Sequence, residues 1–590
     1  MKKLSAVALA AGILTASCSG HGGQSVLPST SGAAGAGKSG ATAISVSVPS
    51  GWAATSTQGV TVANASDLGA LASTQALTVR VALQAHNLSQ LAQAIASGQR
   101  LSDATLMSTY APSETEVSQV VSYLQSQGFT NVTASPNHLL VSADGTAAIA
   151  QKAFNTTLES FSLSGKTVFA NTTPALVPSS LDGIAVAVLG LNNAARMASG
   201  PTACFPTDPA PSGTPCVRSY DAHAIQTYYD AGSTPTAANT TVAVMAEGNV
   251  SQTVADLTYA EQQQGLVHTP ITVVKVGLSS PDTAGVGEWD LDTQSSTGIA
   301  GGAKALYLYD TTSLTDSDIA NEYSKWESDN LAQLGNSSFG ECEYQAYLDG
   351  SMRADDQTMM FAAAHGQTMF ASTGDTGSSC ALAPTNGAPL SGPPMVEYPA
   401  ASPYIVGVGG TTVLSNNDET YLGETAWNAG GGGLSQFENA TGWQQPVQLT
   451  TGILAAGNLR GLPDIAMAAD ANSGAYLVYT TQPIQFINGS CSSPCGIGGT
   501  SEASPLAMGV YARMLSSHAT LGFAGPVLYH NYQKYEPNET LVQGPPPTES
   551  YGGFHDIISG VNGTYSAAPG YDYTTGLGTF DITGLNNTIQ

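Results

Sequence analysis

Positive charge is scarce in this sequence. It holds 16 Lys and Arg against 43 Asp and Glu in 590 residues, a formal net charge of −27. A nucleic-acid binder needs a basic face, so that class is excluded. Charge of either sign is also thin, at 10% of residues against roughly 25% in an average soluble domain. With 42% hydrophobic residues, the chain is too apolar to be a long disordered acidic protein, and it has material for a large core. Length suggests several domains of roughly 150 residues each. No apolar run reaches the roughly 20 residues that span a bilayer. The run from Leu4 to Ala16, behind Met1-Lys2-Lys3, is shorter and reads as the core of an export signal over residues 1–17.

Leu14-Thr15-Ala16-Ser17-Cys18 resembles a bacterial lipobox, in which Cys18 becomes the lipidated first residue; Thr15 stands where an aliphatic residue is usual. Cysteines are few and odd in number: Cys18, Cys204, Cys216, Cys342, Cys380, Cys491 and Cys495. Lipidation of Cys18, or ordinary signal cleavage beyond it, leaves six, enough for three disulfides in an oxidising compartment. Proximity favours Cys204–Cys216 and Cys491–Cys495, which leaves Cys342–Cys380, but sequence alone does not fix the pairing. The expectation is an exported monomer, extracellular or anchored to a bacterial envelope, that meets a membrane only through lipid on Cys18.

The acidity is uneven. Residues 201 onward carry 8 Lys and Arg against 36 Asp and Glu, whereas residues 18–200 carry 6 against 7. A chain with few cations avoids strong self-repulsion once its carboxylates are protonated, so the composition suits work in acid; a merely acidic extracellular protein would share it. The Gly/Ser/Ala-rich residues 18–44 read as a flexible tether. Residues 45–192 mix strand and helix signals: a strand at Leu77–Leu83, helical spacing from Leu88 to Ala96, and a capping pattern, Ser113 with Glu116, ahead of a helix ending at Gln127. Leu139–Val141, 158–170 and 183–190 read as strands and Ala147–Phe154 as a helix, an order that suits a ferredoxin-like α+β unit. Residues 193–222 form a Pro/Ser/Thr-rich linker. From 223 to 590 strands alternate with helices, including a long helical region over Leu314–Leu334, which predicts an α/β parallel sheet with helices on both faces and functional groups at its C-terminal edge.

Three pieces carry chemistry. Gly498-Gly499-Thr500-Ser501-Glu502-Ala503-Ser504-Pro505 delivers Ser501 to a helix start, where developing negative charge is favoured; it resembles the serine region of subtilisin-like peptidases. None of the nine His lies in the context that supplies a subtilisin's general base. Gly287-Glu288-Trp289-Asp290-Leu291-Asp292 occupies that stage instead. Glu288 and Asp292, four apart, share one helix face, and Asp290 points elsewhere. Two adjacent carboxyls disfavour joint ionisation, so one keeps a proton. In Ser372-Thr373-Gly374-Asp375, an Asp replaces the subtilisin oxyanion Asn and can donate only when protonated.

Together these motifs resemble the sedolisin family, the serine-carboxyl peptidases. Tyr398-Pro399-Ala400, Val408-Gly409-Gly410-Thr411-Thr412, Glu424-Thr425-Ala426-Trp427-Asn428, Leu462-Pro463-Asp464 and Gly570-Tyr571-Asp572 extend the resemblance, and the upstream α+β unit resembles the family's activation domain. The resemblance implies a subtilisin-like fold behind a prodomain. It implies Ser501 as nucleophile, Glu288 as general base and acid, Asp292 as its support and Asp375 as oxyanion donor. It also implies one structural Ca2+ held by Asp556 and Asp572 and by the carbonyls of Ile557, Ala568 and Gly570. Two positions depart from the pattern: Glu341 stands about where members carry a network Trp, and Thr376 where some carry Glu. The implied activity is acid endopeptidase, made as a self-activating zymogen whose prodomain is its intramolecular inhibitor and whose substrates are proteins and peptides. The alternative is a catalytically silent exported lipoprotein that uses the same fold to bind a ligand.

Overall fold

A computed structural model describes residues 48–200, 202–203, 217–380, 394–416, 420–450, 458–481, 496–535 and 550–590. The export signal, Cys18, the tether, and Cys204, Cys216, Cys491 and Cys495 lie outside them. Cys342 and Cys380 are joined in a disulfide. No helix among the described residues is long and apolar enough to cross a membrane.

The N-terminal unit is an antiparallel sheet of β1 (Ala76–Leu83), β2 (Thr130–Ala134), β3 (Leu140–Thr146) and β4 (Ala185–Leu189), in the order β2-β3-β1-β4. Helices α1 (Leu88–Ala96), α2 (Glu114–Gln127) and α3 (Ala147–Ala153) complete the ferredoxin-like arrangement. The expected capping box opens α2: the Glu116 N–H donates to Ser113 Oγ at 3.3 Å, and the Ser113 N–H donates to Glu116 Oε2 at 2.7 Å. Val117, Val120 and Leu124 then face the core. The stretch expected as one strand over 158–170 is a hairpin, Leu158–Leu163 against Lys166–Asn171. Ser164 and Gly165 both take positive φ at its turn, which suits the twist of a two-residue hairpin loop.

The larger unit is built on β5 (Ala237–Glu247), β6 (Ile271–Lys275), β7 (Ala303–Thr311), β8 (Leu334–Ser337), β9 (Thr368–Ser372), β10 (Ile405–Ser415), β11 (Tyr421–Ala426) and β12 (Ile465–Ala468). Their order is β6-β7-β5-β8-β9-β10-β11, with β12 pairing β10; the ladders are parallel apart from β10–β11. Helices α4 (Ser251–Gln264), α5 (Val286–Ala300), α6 (Asp316–Asp329), α7 (Ser351–His365) and α8 (Thr500–Ser517) pack around this sheet. The helical region expected over Leu314–Leu334 stops short. Asn330 takes the left-handed conformation at the C-cap of α6, and Leu334 already belongs to β8. Leu-Gly-Asn-Ser has little strand propensity; burial in the middle of the sheet makes it one.

The two units meet along α6 and α7. Ala82, Leu140, Ala187 and Leu189 form a small apolar cluster with Ala320 and Ala354. Arg80 donates to Ser317 Oγ at 2.6 Å and pairs with Asp318 at 3.2 Å. Asn137 Nδ2 donates to Glu327 Oε2 at 2.8 Å, and Asp103 lies 3.0 Å from His365. The contact is thus made by shape, apolar packing and specific bonds to carboxylates.

Candidate active site

Helix α5 brings Glu288 and Asp292 together inside the protein, 1% and 0% exposed. Trp289 pins its first turn by donating Nε1–H to the Glu247 carbonyl at 3.0 Å. Gly285 is required beneath it, because a Cβ there would fall 2.6 Å from that nitrogen. Burial raises both acids well above the ordinary carboxyl range, and each feels the other or a further carboxylate: Asp292 feels Glu288, and Glu288 feels Asp375. The Ser501 hydroxyl and the Gly200 N–H oppose the rise at Glu288, although neither reaches it with full hydrogen-bond geometry. Asp290 does point away from this pair, as the helix geometry demands, but not to solvent. It is 0% exposed and faces Asp256 on α4. Burial first, and the Asp256 carboxylate second, push it up to about 8.

Ser501 opens α8 next to this pair. Gly499, at φ 115°, precedes the helix and lies against Asp375: a Cβ there would sit 2.6 Å from Asp375 Oδ2. Pro505 lies inside α8 and lacks the N–H that would bond the Ser501 carbonyl four residues back. Ser338, at the end of β8, fills that role: its Oγ lies 3.1 Å from the Ser501 carbonyl and 2.5 Å from Asp292 Oδ1. Asn336 Nδ2 donates to Ser338 Oγ at 3.0 Å, and Asn336 Oδ1 accepts from Ser504 Oγ at 2.6 Å. A hydroxyl has one hydrogen. With Asp292 protonated, Ser338 accepts from Asp292 and donates to Ser501; with Asp292 ionised, it must choose.

Asp375 follows β9. Its Oδ1 accepts from the Thr500 N–H at 2.7 Å and Thr500 Oγ1 at 2.9 Å, while the Gly374 N–H donates to Thr500 Oγ1 at 3.0 Å. Its Oδ2 lies beside Gly499 at the helix start. A further acid, absent from the expected set, sits against Gly374: a Cβ on that glycine would land 2.4 Å from Glu397 Cδ. Burial and Asp375 push Glu397 up to about 8. Glu341 lies in a two-residue strand paired with Glu397-Tyr398. It is buried with Asp316, Asp349 and Asp355, and its pKa is raised by burial first and by Asp349 next. Thr376 donates its hydroxyl to the Ser379 carbonyl at 2.5 Å. Thus the two departures from the family pattern give a buried acid cluster and a loop brace.

The linker crosses this centre. The Met197 N–H donates to the Leu314 carbonyl at 2.9 Å, and Ala198 exchanges bonds of 2.8 and 3.1 Å with Gly340, two residues beyond Ser338. Gly200 brings its N–H to Glu288. Thr202 and Ala203 then pair antiparallel with Gly498 and Ile497, just ahead of Ser501. The chain therefore passes between the two edges that flank the nucleophile.

Residues 63–194 match the family described as "Pro-kumamolisin, activation domain", and residues 277–524 match the "Subtilase family". Sedolisin from Pseudomonas sp. (strain 101) is 37% identical over 536 residues, covering 85% of each chain. The chain belongs to the sedolisin family. Xanthomonalisin from Xanthomonas sp. (strain T-22) is 35% identical over 584 residues, 88% of this chain and 66% of that one. A solved structure of Pseudomonas sedolisin, a serine-carboxyl proteinase complexed with two molecules of pseudo-iodotyrostatin, aligns with a TM-score of 0.55 and 34% identity over 64% of this chain and 98% of that chain. The protein is accordingly a serine peptidase of the sedolisin family, with a subtilisin-like fold behind an activation domain.

In this sedolisin-family fold, the C-terminal loops gather the residues expected to hold Ca2+. Asp556, Ile557 and Asp572 are buried, at 6%, 0% and 2% exposed. The Gly570 N–H donates to Asp556 Oδ2 at 2.9 Å and the Ala568 N–H to Asp572 Oδ2 at 2.8 Å. Thr574 and Thr575 N–H groups cover Asp572 Oδ1 at 2.7 and 2.9 Å. Burial still raises the Asp572 carboxyl, so its ionised form is under-compensated. Two buried carboxylates in one carbonyl-rich loop crossing fit a hard, oxygen-seeking cation.

Proposed function

We propose that this protein is an acid-acting endopeptidase, made as a zymogen, in which Ser501 is the nucleophile and Glu288 its general base. The observation that carries the reading is the convergence of Ser501, Glu288, Asp292 and Asp375 on one buried centre crossed by the protein's own linker. The Ser501 hydroxyl passes its proton to Glu288 as Oγ attacks the peptide carbonyl. Asp375, protonated, donates from Oδ2 to the oxyanion. Glu288 returns the proton to the leaving amine, giving an acyl-enzyme, and water then releases the acid by the same steps in reverse order of roles. Asp292, with Ser338 Oγ 2.5 Å from its Oδ1 to accept the proton, holds the retained proton while Glu288 ionises. With the linker out of the cleft, water reaches Glu288, and its pKa returns towards the ordinary range near 4.3. The test is digestion of casein at pH 3–4 by acid-treated protein, with Ser501→Ala as control. Digestion that vanishes in the variant supports the reading; no digestion, or digestion that persists in the variant, contradicts it.

The linker's path supports self-processing. The N–H of Gly200 faces Glu288, and Gly200's own carbonyl is the next one along the chain, so the first cut falls after Gly200. Acidifying pure precursor and sequencing the large fragment checks this: Pro201 is the expected new N-terminus, and Ser501→Ala precursor stays intact. Such a cut precedes Cys204 and frees the prodomain together with anything attached through Cys18. Asp556, Asp572 and the Ile557, Ala568 and Gly570 carbonyls would hold a structural Ca2+, which neutralises the two carboxylates and takes no part in the chemistry.

A further inference from the structure

The edge of the peptidase sheet remote from Ser501 carries a second feature. Ser338 and Asp375 lie at the C-terminal ends of β8 and β9, whereas a cavity of about 530 Å³ opens at the N-terminal ends of β5, β7, β8 and β9. Its lining includes Asn239, Lys304, Gln333, His365 and, from the prodomain, Arg100; no Asp or Glu lines it. From residue 201 onward the chain has 8 Lys and Arg against 36 Asp and Glu, and other cations of the protein are already paired: Arg80 with Asp318, Lys275 with Asp310, Lys325 with Asp329 and Arg460 with Asp464. Among the described residues, no carboxylate pairs with Arg100 or Lys304. Two unpaired positive charges therefore line one cavity. Arg100 is held in place: the next N–H, of Leu101, donates to the Ala364 carbonyl at 2.8 Å, and the Arg100 side chain crosses Gly366 and Gly522, where a Cβ would fall 2.8 and 3.5 Å from its Nε. Gln333 Oε1 accepts from the Thr241 N–H at 3.3 Å, which leaves its amide nitrogen to donate elsewhere. His365 adds less, because Asp103 Oδ1 and Glu327 Oε1 lie 3.0 and 3.1 Å from its ring nitrogens.

We propose that this cavity binds a free inorganic oxyanion, phosphate or sulfate, clasped by Arg100 of the prodomain and Lys304 of the peptidase unit, and that the anion thereby holds the zymogen together. The planar fork of an arginine matches two oxygens of such an anion, and the lysine ammonium supplies a compact point charge. The uncharged amide donors of Asn239 and Gln333 serve the remaining oxygens. A carboxylate ligand would be neutralised in the acid where the peptidase is proposed to work, whereas phosphate keeps a charge below its second pKa of about 6 and sulfate stays ionised. Arg100 departs with the prodomain, so the site is complete only while the two units are joined. A ligand that binds only the joined state stabilises that state by mass action. Binding requires only the cavity, whereas an effect on activation rests on the zymogen reading above.

The experiment titrates full-length Ser501→Ala precursor with sodium phosphate and with sodium sulfate at pH 5, sodium chloride holding the ionic strength constant. Calorimetry reads binding and thermal melts read Tm. One or both anions should bind saturably at one site and raise Tm. Arg100→Gln and Lys304→Gln should each weaken binding by about tenfold or more, the equivalent of one charge-assisted hydrogen bond, and remove the rise in Tm. Arg100→Lys, which keeps the charge and loses the fork, should fall between. Lys534→Gln, which removes a cation that sits over the Tyr535 ring instead, should bind as the parent does. Mature enzyme, without Arg100, should bind at least tenfold more weakly than precursor. Acid self-processing of the wild-type precursor should slow in the bound anion relative to chloride, and Lys304→Gln precursor should process at one rate in both. No saturable binding of either anion, undiminished binding by the Arg100→Gln and Lys304→Gln proteins, or a rise in Tm that chloride reproduces overturns the site. Equal affinity of precursor and mature enzyme, or binding that leaves processing unslowed, overturns the clasp between the units. A precursor that never processes in chloride contradicts the zymogen reading, and the titration still decides the site.

Discussion

Asp290 and Asp292 are two positions apart on α5 and meet different surroundings. Asp292 faces Ser338 and Glu288; Asp290 faces Asp256, away from the nucleophile. Glu288→Ala and Ser501→Ala should each lower kcat/KM by about a thousandfold or more, because nucleophile and base act as a unit. Asp290→Asn should leave acid activity nearly intact. Its effect belongs to stability and has a definite sign. Asp290 is raised to about 8, so its stabilising state is the protonated one. That state is fully populated below the ordinary Asp range near 3.9 and is lost as pH rises through about 8. Asn mimics the protonated acid. Thermal melts should therefore show Asp290→Asn level with the parent at pH 4 and more stable at pH 7.5. A variant that melts lower at both pH values would refute this account of the pair.

At the scale of elements, the site is assembled from α5, the end of β8, the turn after β9 and the start of α8. The four positions that converge there were legible because each lies in a local motif whose residue types suit the proposed chemistry. The helix geometry of Glu288 and Asp292 was legible too. The burial of α5 on every side was not. Residues 288–300 are all buried, although Glu-Trp-Asp-Leu-Asp-Thr-Gln-Ser-Ser-Thr carries no amphipathic stripe to announce a core helix. Glu397, Ser338 and Asn336 escaped as well, since their roles arise only when separate strands meet; the one usable signal was the Asn-Ser-Ser run in a short strand, where small polar residues need a partner. The C-terminal loops carry the calcium prediction. Chelation of the purified mature enzyme should lower Tm, by an amount set by ion concentration over Kd, and Asp572→Ala should lower Tm to the same degree and become insensitive to chelator. An unchanged melt with chelator would remove the ion from the account.

For the whole molecule, one pH effect follows from the buried acids. Buried acids of the peptidase unit are held high: Glu397 to about 8 and Glu343 to about 7, both mainly by burial. Their contribution is complete below the ordinary Glu range near 4.3 and is lost as pH climbs through 7–8, so Ser501→Ala protein should melt progressively lower between pH 5 and 8. The prodomain contact is held by specific bonds instead, with Arg80 pairing with Asp318 and Asn137 bonding Glu327. Prodomain release should follow the cut after Gly200, in acid, where the peptidase unit itself is most stable. The split was half visible in composition, through the charge break near residue 200 and the shortage of cations; which carboxylates face the prodomain required the packing of β1 and β4 on α6 and α7. The central claim is that a carboxyl pair, and not an imidazole, activates Ser501. The most direct measurement is the pH dependence of kcat/KM for the mature enzyme on one peptide between pH 2.5 and 8. The account predicts a maximum in acid, with activity falling towards neutrality as Asp375 loses the proton it must donate. A maximum at pH 7–8 would contradict it.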